Sequence, residues 1–146
     1  MVAVTYLHLR PEDEPPALAR FPFRAVIVAE VVVSEAWRSR IAEWLVGHGC
    51  LYAVAWGVEC SEWHDSVDWA NLEAFNFKEV PDESHVMTTW HDDEPLSEAF
   101  WFAGHCAFHS HIDLEETRIV HVSAESREAE ILQTFHHSQT IADGPD

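Results

Sequence analysis

The segment FRAVIVAEVVV, residues 23–33, constrains the fold more than any other part of the sequence. It is almost continuously apolar and rich in β-branched side chains. Such runs are typical of strands that are covered on both faces, and these strands occur mainly in parallel sheets flanked by helices. The segment therefore predicts a buried strand within an α/β domain.

Strand and helix patterns alternate after this segment. Ser34 is placed to cap a first helix over residues 35–48, in which apolar side chains recur at helical spacing. Further strands are predicted at residues 50–56, 85–90 and 117–123, and further helices at residues 62–75, 92–104 and 125–136. Four strand–helix units in succession predict a doubly wound, three-layer α/β domain. We expect a mostly parallel sheet of about four to five strands, Rossmann-like or flavodoxin-like.

A single domain of common size accounts for all 146 residues. Residues 1–22 combine a short strand at 2–9, expected at a sheet edge, with a proline-rich acidic arm. The α/β core is predicted to span residues 23–136. Residues 137–146 are predicted to form a flexible tail.

The net charge restricts the partners that the domain can bind. Eight Lys and Arg residues against 26 Asp and Glu residues give a formal charge of -18. This charge repels polyanions and anionic membranes, so we expect neither nucleic-acid nor membrane binding. It favours a basic protein partner, a cationic ligand or a divalent metal, although acidity that serves solubility alone is the competing interpretation. The oligomeric state stays open.

The compartment is predicted from the cysteines and from the amino terminus. Three cysteines in no disulfide-framework spacing indicate reduced thiols, and the first residues lack the pattern of a secretion signal. We expect a cytoplasmic protein.

Several common sites are excluded by missing motifs. The turn after the first buried strand reads Val33-Ser34-Glu35, with no glycine-rich loop for a pyrophosphate. The absence of GxGxxG and GxxxxGK[ST] argues against an NAD site and an ATP P-loop. The absence of GxSxG argues against an ordinary serine hydrolase.

Ligands of open parallel sheets bind outside the carboxyl ends of the strands. The loops expected there carry polar and mostly acidic side chains. The candidates for this binding crevice are Ser34, Glu59, Cys60, His64, Asp65, His91, Asp92, Asp93 and Glu94. Trp56 and Trp90 end two of the strands and are candidates for an aromatic wall beside the crevice, although most tryptophans in such a domain belong to the core.

Two interpretations of the run Asp92-Asp93-Glu94 compete. Together with His91, and with His64 or a carboxylate of the preceding loop, Asp92 and Asp93 can hold Mg²⁺ or Mn²⁺. We favour the other interpretation, in which the run caps the following helix and supplies its first turn with negative charge. A nucleophilic pair of Cys60 and His64 is a further possibility, although no motif supplies a third group to orient it.

The run HCAFHSH offers a weaker metal site. It contains one thiol and three imidazoles within seven residues, contributed by His105, Cys106, His109 and His111. It precedes the fourth strand of the core, so we expect it at the end of the sheet opposite to Cys60 and His64. The alternative is a polar surface loop with a buried Cys106.

Three segments carry a resemblance to a known family. They are GCLYAVAWG at 49–57, DSVDWANLEAF at 65–75 and HVMTTWHDDEPLSEAFWF at 85–102. These segments resemble an uncharacterised family of small acidic bacterial α/β domains of unknown function, over roughly residues 23–123. The resemblance implies a bacterial, single-domain protein and transfers no activity, cofactor or catalytic residue.

The charge, the many aromatic residues and the missing catalytic motifs predict an acidic protein-interaction module. Such a module would act as an adaptor, an inhibitor or an immunity-type protein that recognises a basic partner. The alternative is a small metal-dependent enzyme that acts on a phosphate ester or related small molecule at the carboxyl ends of the strands. A ligand-binding regulatory domain is a third possibility.

Overall fold

The computed structural model, which describes residues 3–141, contains a five-stranded parallel sheet flanked by helices. The strands are β1 (Ala3–Leu9), β2 (Phe23–Ala29), β3 (Cys50–Gly57), β4 (Met87–His91) and β5 (Glu116–Val122). The helices are α1 (Glu35–Gly47), α2 (Cys60–Ala74), α3 (Leu96–His105) and α4 (Glu128–Gln139). The strand order is β1-β5-β2-β3-β4, and all neighbours pair in parallel. The predicted α/β class is confirmed.

The sheet lies between two helical layers. Helices α1 and α2 pack on one face, and α3 and α4 pack on the other. Every residue of β2 is buried, because this central strand has a neighbour on each side and helices above and below. Burying one large aliphatic side chain in this way contributes about 1.5–3 kcal/mol. The continuously apolar β2 segment therefore reflects its central position, and the doubly wound arrangement is confirmed.

The strand predicted over residues 23–33 is four residues too long. β2 ends at Ala29, and the chain then turns away from the sheet. The Glu30 side chain binds His121 and Arg127 at this point. Val33 is buried against the α1–α2 layer instead of in the sheet. The strand prediction ran too far because Val31 and Val33 are apolar for contact with the α1–α2 layer, whereas Val32 is exposed.

The predicted cap of α3 at Asp92 or Asp93 is wrong. The helix begins at Leu96, and Pro95 occupies the cap position with φ -64 and no side-chain cap hydrogen bond. Asp93 has φ 56, in the left-handed region that Asp tolerates better than most residues. The chain bends at Asp93, and neither Asp92 nor Asp93 caps the helix with its side chain.

The last helix begins and ends later than predicted. α4 extends to Gln139, whose side-chain amide donates a hydrogen bond to the Phe100 carbonyl at 2.8 Å. Ser138 is buried, and the Trp101 indole donates to the Ile141 carbonyl at 2.7 Å. These bonds attach residues 137–141 to α3. The rest of the predicted tail, residues 142–146, lies outside the described residues.

The proline-rich arm, residues 10–22, crosses α1 without regular secondary structure. Two indoles of α1 hold its backbone. The Trp37 indole nitrogen donates to the Asp13 carbonyl and the Trp44 indole nitrogen donates to the Pro16 carbonyl, each at 2.9 Å. The arm therefore connects edge strand β1 to central strand β2 along a defined path.

Candidate functional site

A cleft of 420 Å³ lies at the carboxyl ends of β2, β3 and β4, where the sequence places the binding crevice. The chain leaves β3 towards α2 on one face and leaves β4 towards α3 on the other face. A crevice between strands whose connections diverge is the usual ligand site of open α/β sheets. The polar lining consists mainly of Glu30, Trp56, His91, Asp92, Asp93 and Glu94.

His91 is held from both sides within this cleft. Its Nδ1 hydrogen-bonds the Glu94 carboxylate, and its Nε2 lies 3.0 Å from the Thr89 hydroxyl. The imidazole also packs on Phe102, with ring centroids 4.7 Å apart. Because both nitrogens have partners, this histidine is fixed in place by its neighbours instead of being free to bind a ligand.

The predicted metal ligands do not form a metal site in the structure. Within residues 3–141, no three or more His, Cys, Asp or Glu side chains converge in an arrangement that could hold a metal ion. Asp92 and Asp93 line the cleft with Glu94, whereas His91 is engaged as described above. The cleft is acidic, but its carboxylates do not surround a common point.

Cys60 does not pair with His64. The thiol is buried at the start of α2 and donates to the His91 carbonyl across 3.7 Å. Burial raises the pKa of Cys60, and the nearby Asp92 carboxylate raises it further. A nucleophilic cysteine needs a lowered pKa or an adjacent base. The environment of this thiol keeps it protonated.

His64 interacts with carboxylates of its own helix. Its Nδ1 lies 3.0 Å from Asp65 Oδ1, and its Nε2 lies 3.6 Å from Asp68 Oδ2. Its ring meets Trp90 edge to face, with centroids 4.7 Å apart. His64 and Asp65 lie on α2 and do not line the 420 Å³ cleft.

Ser34 and Glu59 both stand at helix starts. The Ser34 hydroxyl accepts a hydrogen bond from the Trp37 backbone N–H at 3.2 Å, as predicted for the cap of α1, and donates to a Glu12 carboxylate oxygen at 2.6 Å. Glu59 begins α2 with φ 54 and makes no side-chain cap. A hydrogen bond with Glu62 raises the pKa of Glu59, with smaller contributions from burial and charge repulsion.

Trp56 and Trp90 do not form one aromatic wall. Trp90 pairs with Ala55 in the sheet register, so its side chain lies on the α1–α2 face beside His64. Trp56 packs against the α3–α4 layer, and its indole donates to the Glu94 carbonyl at 2.8 Å. Trp56 lines the cleft, whereas the half-exposed Trp90 is on the other face of the sheet.

The histidine-rich loop lies at the amino ends of the strands. His109 Nε2 is 2.8 Å from the carbonyl of His85, which precedes β4, and the rings of His109 and His111 are 6.1 Å apart. The prediction of a buried Cys106 is wrong: this cysteine is exposed, and the next residue, Ala107, is the buried one. His105 stacks on Trp101 instead of facing the other histidines.

A buried polar network beside the cleft was missed by sequence reasoning. His121, in β5, has no exposed surface. Its Nε2 faces the Glu30 carboxylate, so Nδ1 accepts a hydrogen bond from the Tyr6 hydroxyl at 2.6 Å. Arg127 donates to the same Glu30 oxygen at 2.5 Å. Burial lowers the pKa of His121 even though Glu30 opposes this shift.

The sequence did contain a signal for this network. Glu30 and His121 are polar residues that each stand between apolar neighbours, within the segments 23–33 and 117–123. A buried polar group needs a hydrogen-bond partner. Pairing the two interruptions would have suggested that their strands are neighbours.

A group of exposed apolar side chains lies on the outer surface of α2 and on the turn after it. Trp69, Leu72 and Phe77 are 59%, 42% and 54% exposed. The Trp69 and Phe77 rings touch, with centroids 5.0 Å apart. We call these three residues the α2 aromatic patch. Trp69 is out of phase with the buried stripe of Trp63 and Val67, which was a sequence signal for its exposure.

No helix between residues 3 and 141 is both long and apolar enough to cross a membrane. A family model described as "Domain of unknown function (DUF7684)" matches residues 4–138. No curated protein and no solved structure matches the chain. The family match extends over almost the whole sequence and confirms the expected membership of an uncharacterised family. The chain therefore belongs to the DUF7684 family of domains of unknown function.

Proposed function

We propose that this domain is an acidic protein-interaction module, of adaptor, inhibitor or immunity type, that binds a basic partner through the outer surface of α2. The observation that carries the proposal is the α2 aromatic patch. Single exposed apolar residues are normal on a protein surface, but adjoining exposed aromatic side chains are typical of interfaces. Aromatic residues also supply much of the binding energy in known complexes.

The carboxylates of α2 support a basic partner. Glu62, Asp65 and Glu73 are exposed on the same helix as Trp69. Asp65 and Trp69 are one helical turn apart, so a carboxylate and an indole face point to the same side. A partner's arginine or lysine can therefore bind a carboxylate and contact the Trp69 ring at once. The net charge of -18 attracts such a partner from a distance.

The metal-dependent alternative has less support. It requires several ligands around one point, and the described residues do not provide such a group. The buried Cys60 thiol and the fixed His91 imidazole also do not provide a reactive group in the cleft. A cytoplasmic location is part of our proposal because the three free cysteines suit a reducing compartment. A bacterial source stays a prediction from the family resemblance.

The test compares proteins captured from a cell extract by three immobilised forms of the domain. These are the wild type, the Trp69→Ser/Phe77→Ser double variant, and Phe108→Ser as the matched control. Phe108 is similarly exposed but lies in the loop between α3 and β5. We expect a basic partner that the wild type and the control retain and the double variant loses.

Calorimetry with the purified partner completes the test. Because the interaction is partly electrostatic, the Kd should rise at least about tenfold between 50 mM and 500 mM salt. Retention of the same partner by the double variant would refute the assignment of the surface. Binding that is insensitive to salt would refute the electrostatic mode.

A further inference from the structure

A second groove lies at the amino ends of β3 and β4, at the end of the sheet opposite to the carboxyl-end cleft. Its volume is 860 Å³. The walls are mostly apolar, with Val46, Leu51, Phe75 and Val86 among them. This size falls within the range of ligand-binding clefts, about 300–1,000 Å³. The groove can take a long side chain with an apolar stem.

The electrostatic field at this groove is negative from two independent sources. Helices α1 and α2 both end there, and neither has a basic residue in its last turn. Each helix carboxyl end carries roughly half a negative charge. The rim also bears Glu43, Glu73 and Glu83 against one cation, Arg20, which leaves 3 - 1 = 2 formal negative charges.

Two of these carboxylates face each other across the seam between the helices. Glu43, on α1, lies within hydrogen-bonding reach of Glu73, on α2. Burial raises the pKa of Glu43, and the contact with Glu73 raises it further. Two negative charges within hydrogen-bonding reach repel each other. A cation between them would remove the repulsion and satisfy both groups.

We propose that this groove receives an arginine side chain of the basic partner, an inference that rests on the proposed function. The aliphatic stem lies along Val46 and Leu51. The guanidinium reaches Glu43 and Glu73, whose oxygens suit its fork of N–H donors. Glu73 follows Leu72 directly in α2, so a partner seated on the α2 aromatic patch is already at the rim of the groove.

The test uses N-acetyl-arginine amide as the probe and N-acetyl-citrulline amide, its uncharged counterpart, as the control ligand. The reporter is the side-chain amide of Asn71, which lines the groove. This amide donates to the Ser84 carbonyl at 3.1 Å and accepts from the Val86 N–H at 3.0 Å. In a ¹H–¹⁵N NMR titration of the wild type, we expect its signals to shift and saturate with a Kd of about 1–10 mM. The citrulline compound should leave them in place.

Three variants test the role of the rim charges. Glu43→Gln should weaken probe binding by about two- to fivefold, as expected for a solvent-accessible ion pair. It should not lower the melting temperature, because it removes a repulsion. Arg20→Ala should strengthen binding by a similar factor. Glu128→Gln, which makes the same charge change at the start of α4, should leave binding unchanged.

The titrations with the probe and with the variants each give a result that supports or overturns the inference. No saturable shift at Asn71 with 50 mM probe would overturn the inference, as would equal shifts with the citrulline compound. Equal weakening by Glu43→Gln and Glu128→Gln would also overturn it, because the probe would then respond to net charge alone. These results do not depend on the capture experiment with the Trp69→Ser/Phe77→Ser variant. That experiment tests the proposed function separately.

Discussion

Replacing His121 by Phe tests whether the buried network beside the cleft stabilises the fold. The imidazole bridges β1, β2 and β5, because it binds Tyr6 on one strand and Glu30 directly after another. Phe has a similar shape and no hydrogen-bonding group. The variant therefore keeps most of the packing and removes both hydrogen bonds.

The magnitude follows from the partners that are left behind. A hydrogen bond to a charged group contributes about 1.5–3 kcal/mol, and a buried hydroxyl without a partner costs about 1–3 kcal/mol. Glu30 keeps Arg127, and the Tyr6 hydroxyl keeps Ser126 at 3.3 Å, so the loss is smaller than the full sum. We expect His121→Phe to lower the free energy of unfolding by about 2–4 kcal/mol at pH 8.

The pH dependence of this difference is a sharper test. Burial places the pKa of folded His121 below its unfolded value of about 6.5. Below pH 6.5 the unfolded state binds a proton that the folded state resists, so acid lowers the stability that wild type derives from this residue. Tyr6, His8, Glu30 and Arg127 surround the ring, and all four remain in the variant.

The assay is urea unfolding of wild type, His121→Phe and the exposed-site control His137→Phe at pH 8, 6.5 and 5.5. The difference in the free energy of unfolding between wild type and His121→Phe should become smaller as the pH falls, by at most about 1.4 kcal/mol per pH unit. The control should show neither the loss nor the narrowing. A gap that widens in acid, or a loss below about 0.5 kcal/mol at pH 8, would refute the reasoning.

Two further perturbations test local features of the structure. Gly57 has φ +98, and a Cβ there would lie 2.1 Å from the Ala29 carbonyl oxygen, so Gly57→Ala should destabilise the domain by more than about 1 kcal/mol in the same urea assay. An unchanged midpoint would contradict the strained geometry. Iodoacetamide should modify exposed Cys106 quickly and Cys60 only on unfolding, because Cys60 is buried with a raised pKa. Mass spectrometry of the two peptides would detect equal labelling, the contrary result.

The sequence was sufficient to predict the class of fold because each buried strand and each amphipathic helix has its own local pattern. The apolar pattern gave wrong strand and helix boundaries where an apolar residue packs in a helix layer and not in the sheet. Val33 belongs to the helix layer and not to the sheet. The start of α3 was misplaced because the left-handed conformation of Asp93 cannot be read from the residue type alone.

The position of the cleft followed from a general rule about parallel sheets, but its residue contacts did not. His121 meets Glu30 because β5 inserts between β1 and β2, and local patterns do not encode strand order. Trp56 and Trp90 were expected to form one aromatic wall because each lies at the end of a predicted strand. The register instead pairs Trp90 with Ala55, so the two rings lie on opposite faces of the sheet.

The two hydrogen bonds between the arm and α1 restrict the number of residues that can connect β1 to β2. Pro15 and Pro16 favour an extended left-handed helix that advances about 3.1 Å per residue, so the carbonyls of residues 13 and 16 recur on one side about 9 Å apart. Trp37 and Trp44 are separated by two helical turns, or about 10.5 Å. The two spacings match. Insertion or deletion of one residue in this segment would therefore move a carbonyl away from its indole and shift the path of the chain into β2.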